Sequence, residues 1–517
     1  MQKSFSKETA IFSVFLLLYI VFIIFTTTER TFFQYNTETD YLSLFVPEAN
    51  QVLSGQPLEL AFHPPLYSLL VALVQFVTGD WMVTGLAISV LSAAVALTCA
   101  FVFFGDICGR HAAWGAVLGL VASAVFITYS VSTTSDVFFL AIYFACSMLA
   151  AKAILTRSDR LWFLTGMLVA CGLLARSNGL SLAFLVLAPW FSRAPLQQRG
   201  ISCGYVVAGF LVPVAAWLVY ASVTGSSFMP SGNTVNLAMT YFSPLDNRAS
   251  GDALQLVRQQ FGHMSLIEVL LYDPAHLIKT YVVDLRRLIT WRLPELVQFP
   301  LDLFFLPGLA LLIFGSFSRY LFLFLLLALG QLLLVNLKTF EPRFAMFLLP
   351  FMGAGAGILF REIVAAARGT ALKIIAGAFL LLAAAAAAVS ATFDADVALH
   401  SDDVELAEVV PIVQREVRSG ATIVARKPHL GYYASGSFVL VPQVDTQQEL
   451  TCFLSAQTAG GAVYLYYGPI EQEKRPQFRD FLLTDTPPPG LAVVAESAVP
   501  DRWVLYRYRP VGDGGPC

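Results

Sequence analysis

Charge is what this sequence has little of. Only 13% of its 517 residues are Asp, Glu, Lys or Arg while 57% are hydrophobic, and the mean hydropathy is +0.69. That balance excludes an ordinary soluble globular protein. The formal net charge of −3 leaves no broad basic field for nucleic acid or for purely electrostatic attachment to a membrane surface. Cysteine is also sparse: the seven residues show no CxxC and no Cys/His spacing of a zinc site. Cys99, Cys146, Cys171 and Cys203 lie in apolar segments, where a thiol behaves as a small hydrophobe. Cys452 and Cys517 can pair if their region is exported, or remain two thiols. No A-x-A-like cleavage site follows the apolar run 11–25, which Lys3 and Lys7 precede, so this run is expected to be a retained first span.

Long hydrophobic runs, in contrast, are abundant. A membrane-crossing helix needs about 20 apolar residues, and the runs 11–28, 81–104, 112–129, 137–153, 201–223, 301–314, 320–337, 344–360 and 374–393 meet or approach that length. The alanine run near Ala383 belongs to the last of these and suits a close-packed span. The stretch 161–191 is too long for one simple span and short for two, with Ala-Arg-Ser-Asn-Gly at its middle. Lys152, Arg157 and Arg160 precede it and Arg193 and Arg199 follow it, so both ends are expected on the cytoplasmic side. The middle then reaches the far face as a tight hairpin, with Arg176 outside. The expectation is a polytopic α-helical membrane protein of about eleven spans.

Arg110, Arg319, Arg361, Arg368 and Lys373 fall in short loops on the side of Lys3 and Lys7. The opposite face receives 29–80, the turn 133–136, Arg176, the long segment 224–300, the turn 338–343 and everything after 393. In the first exterior loop Tyr41, Leu44, Phe45, Ala49, Val52 and Leu53 recur at helical spacing up to Gly55, and Pro47 is expected to kink or break that helix. The run 67–78, opened by Pro64 and Pro65, is too short to span and reads as a second interfacial helix. Beyond 393 the composition becomes that of a soluble domain, giving an expected division into a membrane domain, 1–393, and an exterior domain, 394–517. There Asp402 and Asp403 can cap a helix through Leu406, Val409, Val410, Val413 and Val417 to Gly420. Strand-like runs follow at 422–425, 438–441, 463–467, 491–495 and 503–508, predicting a small α/β fold.

The exterior residues together resemble the GT-C class of polytopic glycosyltransferases, in the bacterial branch related to protein O-mannosyltransferases and the lipid A aminoarabinose transferase. The resemblance rests on ETDYLSLFVPEANQVLSG and HPPLYSLL in the first exterior loop, TTSDVFFLAIYF between the third and fourth spans, LLARSNGL, and EPRFAMFLLP at a late span. It covers roughly the first 390 residues, each motif being weak alone. Two departures stand out: His63 where relatives often carry Lys, and Arg176-Ser177-Asn178 where Lys-Gly is common. The resemblance implies an enzyme that moves a hexosyl or pentosyl unit from a polyprenyl-phosphate donor to a hydroxyl of a cell-envelope glycan, lipid or protein. It also implies a bacterial inner membrane, with the active site outside and the N-terminus cytoplasmic.

Such chemistry needs a base at the acceptor and cations at the leaving phosphate. Asp40 matches the family's first acid and is the candidate base of an inverting transfer, although Asp is also a preferred N-cap and the helix beginning at Tyr41 needs one. Asp136, at the exterior start of the fourth span, is the second catalytic candidate; it can orient the acceptor, join Asp40 in holding a divalent cation such as Mg or Mn, or merely cap its helix. His63, Arg176 and Arg343 are the candidate donor-phosphate ligands, with interfacial anchoring as the plainer alternative. Glu38, Tyr67 and Lys338 stand beside them as support, Glu38 being otherwise an exposed loop acid. Tyr241, Phe242, Tyr272, Tyr281 and Trp291 read as core or belt aromatics first and sugar platforms second. A transporter or exporter of a lipid-linked or small polar substrate is the competing class, but it favours ionisable residues near the midplane and internal repeats, and neither is visible. A non-catalytic assembly protein whose terminal domain binds an envelope partner is a third.

Overall fold

The computed structural model describes residues 2–27, 31–32, 35–230, 232–243, 251–314, 319–337, 341–400, 404–442, 444–484, 486–497 and 502–510. The chain forms two compact units: Met1–Arg30, Phe45–Tyr241 and Met264–Leu399 make the first, and Thr31–Leu44, Phe242–His263 and His400–Cys517 the second. The second unit thus takes in two short segments from the membrane half of the sequence as well as the terminal domain.

From the N-terminus the helices are α1 (Gln2–Thr27), α2 (Tyr35–Asp40), α3 (Val46–Leu53), α4 (Leu66–Thr78), α5 (Trp81–Cys108), α6 (Arg110–Val121), α7 (Ala124–Ser130), α8 (Ser135–Thr156), α9 (Asp159–Ala175) and α10 (Leu196–Thr224). The apolar helices Asp302–Phe314, Arg319–Val335, Leu349–Ala366 and Thr370–His400 complete the first unit's scaffold. The expected spanning runs are largely helical among the described residues, but 112–129 is broken at 122–123, between α6 and α7. Among the described residues five helices are long and apolar enough to cross a membrane, or six if α6 and α7, bent by 72°, count as one span. Several other apolar helices are shorter. One of them, Ser177–Phe191, is a 3-10 helix of 15 residues; at about 2.0 Å rise per residue it extends about 30 Å, the thickness of a hydrocarbon core. A tight winding therefore lets the second arm of the predicted hairpin reach as far as a longer α-helix.

The core of this unit lies among α5, α6, α8 and Leu349–Ala366. Edge-on rings fill it, with Phe103 and Phe324 centred 4.6 Å apart and Phe104 and Phe351 5.2 Å apart. Small residues bring α6 and Leu349–Ala366 into backbone contact: a Cβ on Gly115 would lie 2.2 Å from the Gly353 carbonyl oxygen, as in close helix crossings within membranes. Outward helices carry exposed Leu, Ile, Val and Phe, such as Leu381 and Leu382 at 72% and 70% exposure. These are surfaces that a bilayer covers.

Pro47 does not break the first exterior helix. The chain passes from α2 through a π-turn, Tyr41–Phe45, into α3, and the wider turn accommodates a proline ring that an α-helical ladder would reject. Consequently Asp40 is not the N-cap of a helix starting at Tyr41, since helical geometry already begins at Tyr35.

In the second unit β1 (Thr422–Ala425), β2 (Ser437–Leu440), β3 (Val463–Tyr467), β4 (Leu491–Glu496) and β5 (Val504–Tyr508) form one sheet in the order β2-β1-β3-β5-β4. β1 is parallel to both β2 and β3, whereas β5 is antiparallel to β3 and β4. The helix Val404–Glu416 buries Leu406, Val409, Val410 and Val413 against Ile423, Tyr464 and Trp503. It ends at Glu416 rather than running to Gly420, and its expected caps Asp402 and Asp403 lie outside the described residues. Cys452 is disulfide-bonded, while Cys517 lies outside the described residues.

Candidate active site

In the first unit three helix ends deliver charged side chains to one place. Thr134, in an extended conformation, precedes α8, and Asp136 sits in the first turn of that helix, where the helix dipole favours a carboxylate. Arg176 stands in the sharp turn between α9 and the 3-10 helix, extended at φ −151°. That turn explains the glycine of LLARSNGL: a Cβ on Gly179 would lie 2.2 Å from the carbonyl oxygen of Gly172. Arg343 comes from the 3-10 turn Pro342–Leu348, which leads into Leu349–Ala366.

Asp136 Oδ1 lies 2.6 Å from Arg176 Nη1, and its Oδ2 lies 3.7 Å from Arg343 Nη1. The side chains are 5%, 13% and 12% exposed respectively, so the three charges are largely removed from solvent. Arg176 also donates to Ser135 Oγ at 3.0 Å, and Arg343 Nε lies 2.6 Å from Glu341 Oε2. Both guanidiniums rest on Phe344, at 5.2 and 5.1 Å from the ring centroid, and Arg343 also lies over Tyr129 at 5.5 Å. Cation–π contact of this kind fixes the planes of the two cations. A small cleft opens here, lined by Asp136, Arg176, Asn178, Arg343, Phe344 and Phe347. The buried trio carries two positive charges against one negative, and the second negative charge comes from Glu341 on the exposed rim.

Tyr67, on α4, is fully buried, and its hydroxyl has no hydrogen-bond partner among the described residues. Burial first and the Asp136 carboxylate second hold this phenol above its ordinary range, with Arg176 pulling the other way, so Tyr67 lies within the field of the cluster. His63 stacks on Phe45 with ring centroids 5.0 Å apart, and Phe45 in turn meets the Tyr67 ring edge-on at 4.6 Å. His63 and Tyr67 therefore share one aromatic support. Lys338 lies outside the described residues.

Asp40 and Glu38 belong to the second unit. Both are helical and two residues apart, which places them on nearly opposite faces. Asp40 is exposed, while Glu38 is buried at 0% exposure and is not the exposed loop acid expected from the sequence.

The structure also contains a site residue that the sequence reading passed over. Glu48 on α3 is buried and accepts hydrogen bonds from Ser68 Oγ and the Ala61 backbone N–H; burial raises its carboxyl to about 7 against the pull of those bonds. It ties α3 to the segment before α4, which carries His63, and to the first turn of α4, which carries Tyr67. Its signal was present, because Glu48 sits four residues from both Leu44 and Val52, on the apolar stripe itself. The aromatics of the long loop are mostly structural: Tyr241 donates to the Asn336 carbonyl at 2.9 Å and Tyr281 to the Leu333 carbonyl at 3.0 Å. Phe242 stacks on Phe261, Tyr272 is exposed, and the Trp291 side chain lies outside the described residues.

As a cation ligand Asp136 does not fit, since each of its oxygens faces a guanidinium. Among the described residues no three His, Cys, Asp or Glu side chains gather as a metal-holding set.

A multi-helical membrane unit with its ion cluster at helix ends, accompanied by a terminal α/β fold, defines the class: the chain has the GT-C fold of polytopic membrane glycosyltransferases. Residues 62–220 match the family model described as dolichyl-phosphate-mannose-protein mannosyltransferase. The chain is similar to ArnT from Cupriavidus metallidurans in the apo state, with 13% identity, a TM-score of 0.50, and 97% of this chain and 98% of that chain covered. It is also similar to the archaeal oligosaccharyltransferase AglB from Archaeoglobus fulgidus, solved in complex with an inhibitory peptide and a dolichol-phosphate. There the identity is 12% and the TM-score 0.53, over 90% of this chain and 70% of that one. A second structure of the Archaeoglobus fulgidus oligosaccharyltransferase, complexed with Zn and sulfate, gives 11% identity and a TM-score of 0.55 over 89% and 68%. No curated protein sequence gives a significant match.

Proposed function

We propose that the protein is an inverting membrane glycosyltransferase of a bacterial inner membrane, moving a hexosyl or pentosyl unit from a polyprenyl phosphate to a hydroxyl of a cell-envelope glycan, lipid or protein. The observation that carries this reading is the buried Arg176–Asp136–Arg343 trio at helix ends, in which Arg343 is balanced by the half-exposed Glu341 that an anion can replace. The dolichol-phosphate bound by AglB supports a lipid-linked donor.

In the proposed reaction the acceptor oxygen attacks the anomeric carbon while Asp40 takes the hydroxyl proton. The bond from that carbon to the phosphate oxygen breaks, and its electron pair leaves with the polyprenyl phosphate. Arg176 and Arg343 stabilise the negative charge developing there, as donors already oriented by Asp136 and Phe344. Tyr67 offers its unpartnered hydroxyl to a phosphate oxygen, and His63, just before α4, supplies a further donor. Asp136 acts as the organiser of the two arginines, so no step is routed through a cation at that carboxylate. The terminal domain lies on the exterior side, with the N-terminus cytoplasmic. Helix-end charge, in place of midplane charge, supports transfer over transport.

The test is sugar transfer in membranes supplied with a panel of labelled polyprenyl-phosphate sugars, comparing the natural protein with Asp40→Asn at equal abundance. A loss of about a hundredfold or more fits removal of a general base. Equal turnover removes Asp40 from the chemistry.

A further inference from the structure

The terminal α/β domain has no part in the chemistry just described, yet its compact unit includes the segment that bears the acids. Three contacts join them. The backbone N–H of Phe32 donates to the Tyr433 hydroxyl at 2.9 Å, and the Phe32 ring meets Tyr432 edge-on at 5.0 Å. Lys427 Nζ donates to Thr39 Oγ1 at 3.1 Å. Thr39 is the residue between Glu38 and Asp40. Around these contacts Phe32, Glu38 and Tyr41 are buried, at 2%, 0% and 1% exposure, while Asp40 remains exposed.

Lys427 is held firmly enough for its reach to matter. It follows β1 directly after Arg426, and the Arg426 backbone N–H donates to Glu471 Oε1 at 2.7 Å. The other oxygen of Glu471 accepts from the Gly468 backbone N–H at 3.1 Å, just beyond β3. One buried carboxylate thus clamps the ends of two parallel neighbouring strands, and the loop carrying Lys427 is anchored in the sheet. The tyrosines come from the next helix, His429–Tyr433. A lysine that only decorated a surface would need no such foundation.

We propose that the terminal domain is a positioning device for the acid-bearing segment, with Lys427 as the positioning residue. By holding Thr39 it fixes the turn of helix that presents Asp40, so transfer depends on a domain that takes no chemical step. This rests on the role of Asp40 proposed above.

The test uses the full-length protein with Lys427→Met, Lys427→Arg, Thr39→Val and Tyr433→Phe. Transfer is measured alongside hydrogen–deuterium exchange of the 31–44 peptide. Misplacement by about 1 Å lowers a rate by up to about a hundredfold, so Lys427→Met is expected to lower kcat about 10- to 100-fold with the donor KM unchanged. Thr39→Val should do the same, the double variant should lose no more than either single one, and Lys427→Arg should recover most of the rate. Exchange over 31–44 should quicken in Lys427→Met and Tyr433→Phe. Wild-type kcat in Lys427→Met overturns the proposal, as does a loss that Lys427→Arg fails to relieve while exchange stays unchanged. Should the wild-type protein transfer no sugar, the Asp40 reading fails separately, and exchange alone decides: faster exchange upholds the coupling and unchanged exchange refutes it.

Discussion

Replacing Asp136 by Asn keeps the shape of the side chain and removes the one charge that the two arginines share. Its amide can still accept from one guanidinium, but the other end becomes a donor facing a donor. Removing one partner of a buried ion pair destabilises by about 3–5 kcal/mol. Here Arg176 and Arg343 keep 13% and 12% exposure, and Arg343 retains Glu341 at 2.6 Å, so screening brings the expectation to about 2–3 kcal/mol. At about 2 °C per kcal/mol for a large domain, the unfolding temperature should fall by about 5 °C. A polyprenyl phosphate brings back the missing negative charge, so saturating undecaprenyl phosphate should raise the variant's unfolding temperature more than the wild type's. Both are read by intrinsic tryptophan fluorescence on detergent-solubilised protein. An Asp136→Asn protein that unfolds with the wild type, or that gains less from the lipid, refutes the assignment of Asp136 as organiser of an anion site.

Arg176→Met and Arg343→Met should each weaken undecaprenyl phosphate binding about 10- to 100-fold in a direct titration, the worth of one charge-assisted hydrogen bond. Glu341→Gln should tighten the same binding, since it frees Arg343 from a competing carboxylate; weaker binding would count against competition. Glu48 should make stability depend on pH. Its folded carboxyl is raised from 4.5 to about 7, so the folded state holds the proton more tightly. Its contribution is complete below pH 4.5 and is lost as pH rises through 7, by up to about 3 kcal/mol. Thermal melts of Glu48→Gln between pH 5 and 8 should therefore lack a downward slope that the wild type shows.

The fold is legible in the sequence where one-dimensional signals decide. Apolar runs marked the helices of the membrane unit, and flanking charge predicted the reversal at Arg176, where α9 gives way to Ser177–Phe191. Four-residue strands such as Thr422–Ala425 were legible because β1 is buried throughout and carries a continuous apolar run. What composition does not announce is the π-turn just before Pro47, a local exchange of hydrogen-bond partners that interrupts the α-helix without ending it. The site was half legible: Asp136, Arg176 and Arg343 could each be placed at an exterior helix end, but their meeting at 2.6 and 3.7 Å depends on how α8, α9 and the Pro342–Leu348 turn pack. Glu38 is buried instead of lying in an exposed loop because the helix begins at Tyr35, ahead of the apolar spacing that starts at Tyr41. The grip of Lys427 on Thr39, across 388 positions of sequence, left no trace in either segment.

The cluster divides its two carboxylates by burial, and that division has a chemical consequence. Asp136 is 5% exposed and touches both arginines, whereas Glu341 is 46% exposed and pairs with Arg343. A rim ion pair contributes about 0–1 kcal/mol, because water and salt compete with it. A largely buried one cannot be given up so cheaply. In the proposed reaction an arriving phosphate therefore displaces Glu341 and leaves Asp136 in place. Until it arrives, Glu341 keeps Arg343 from standing as an uncompensated charge; after it leaves, the same guanidinium already lies in its plane on Phe344 and Tyr129. The exchange swaps one anion for another at a cation that need not move, which is the condition for a donor site that binds its phosphate and also releases it.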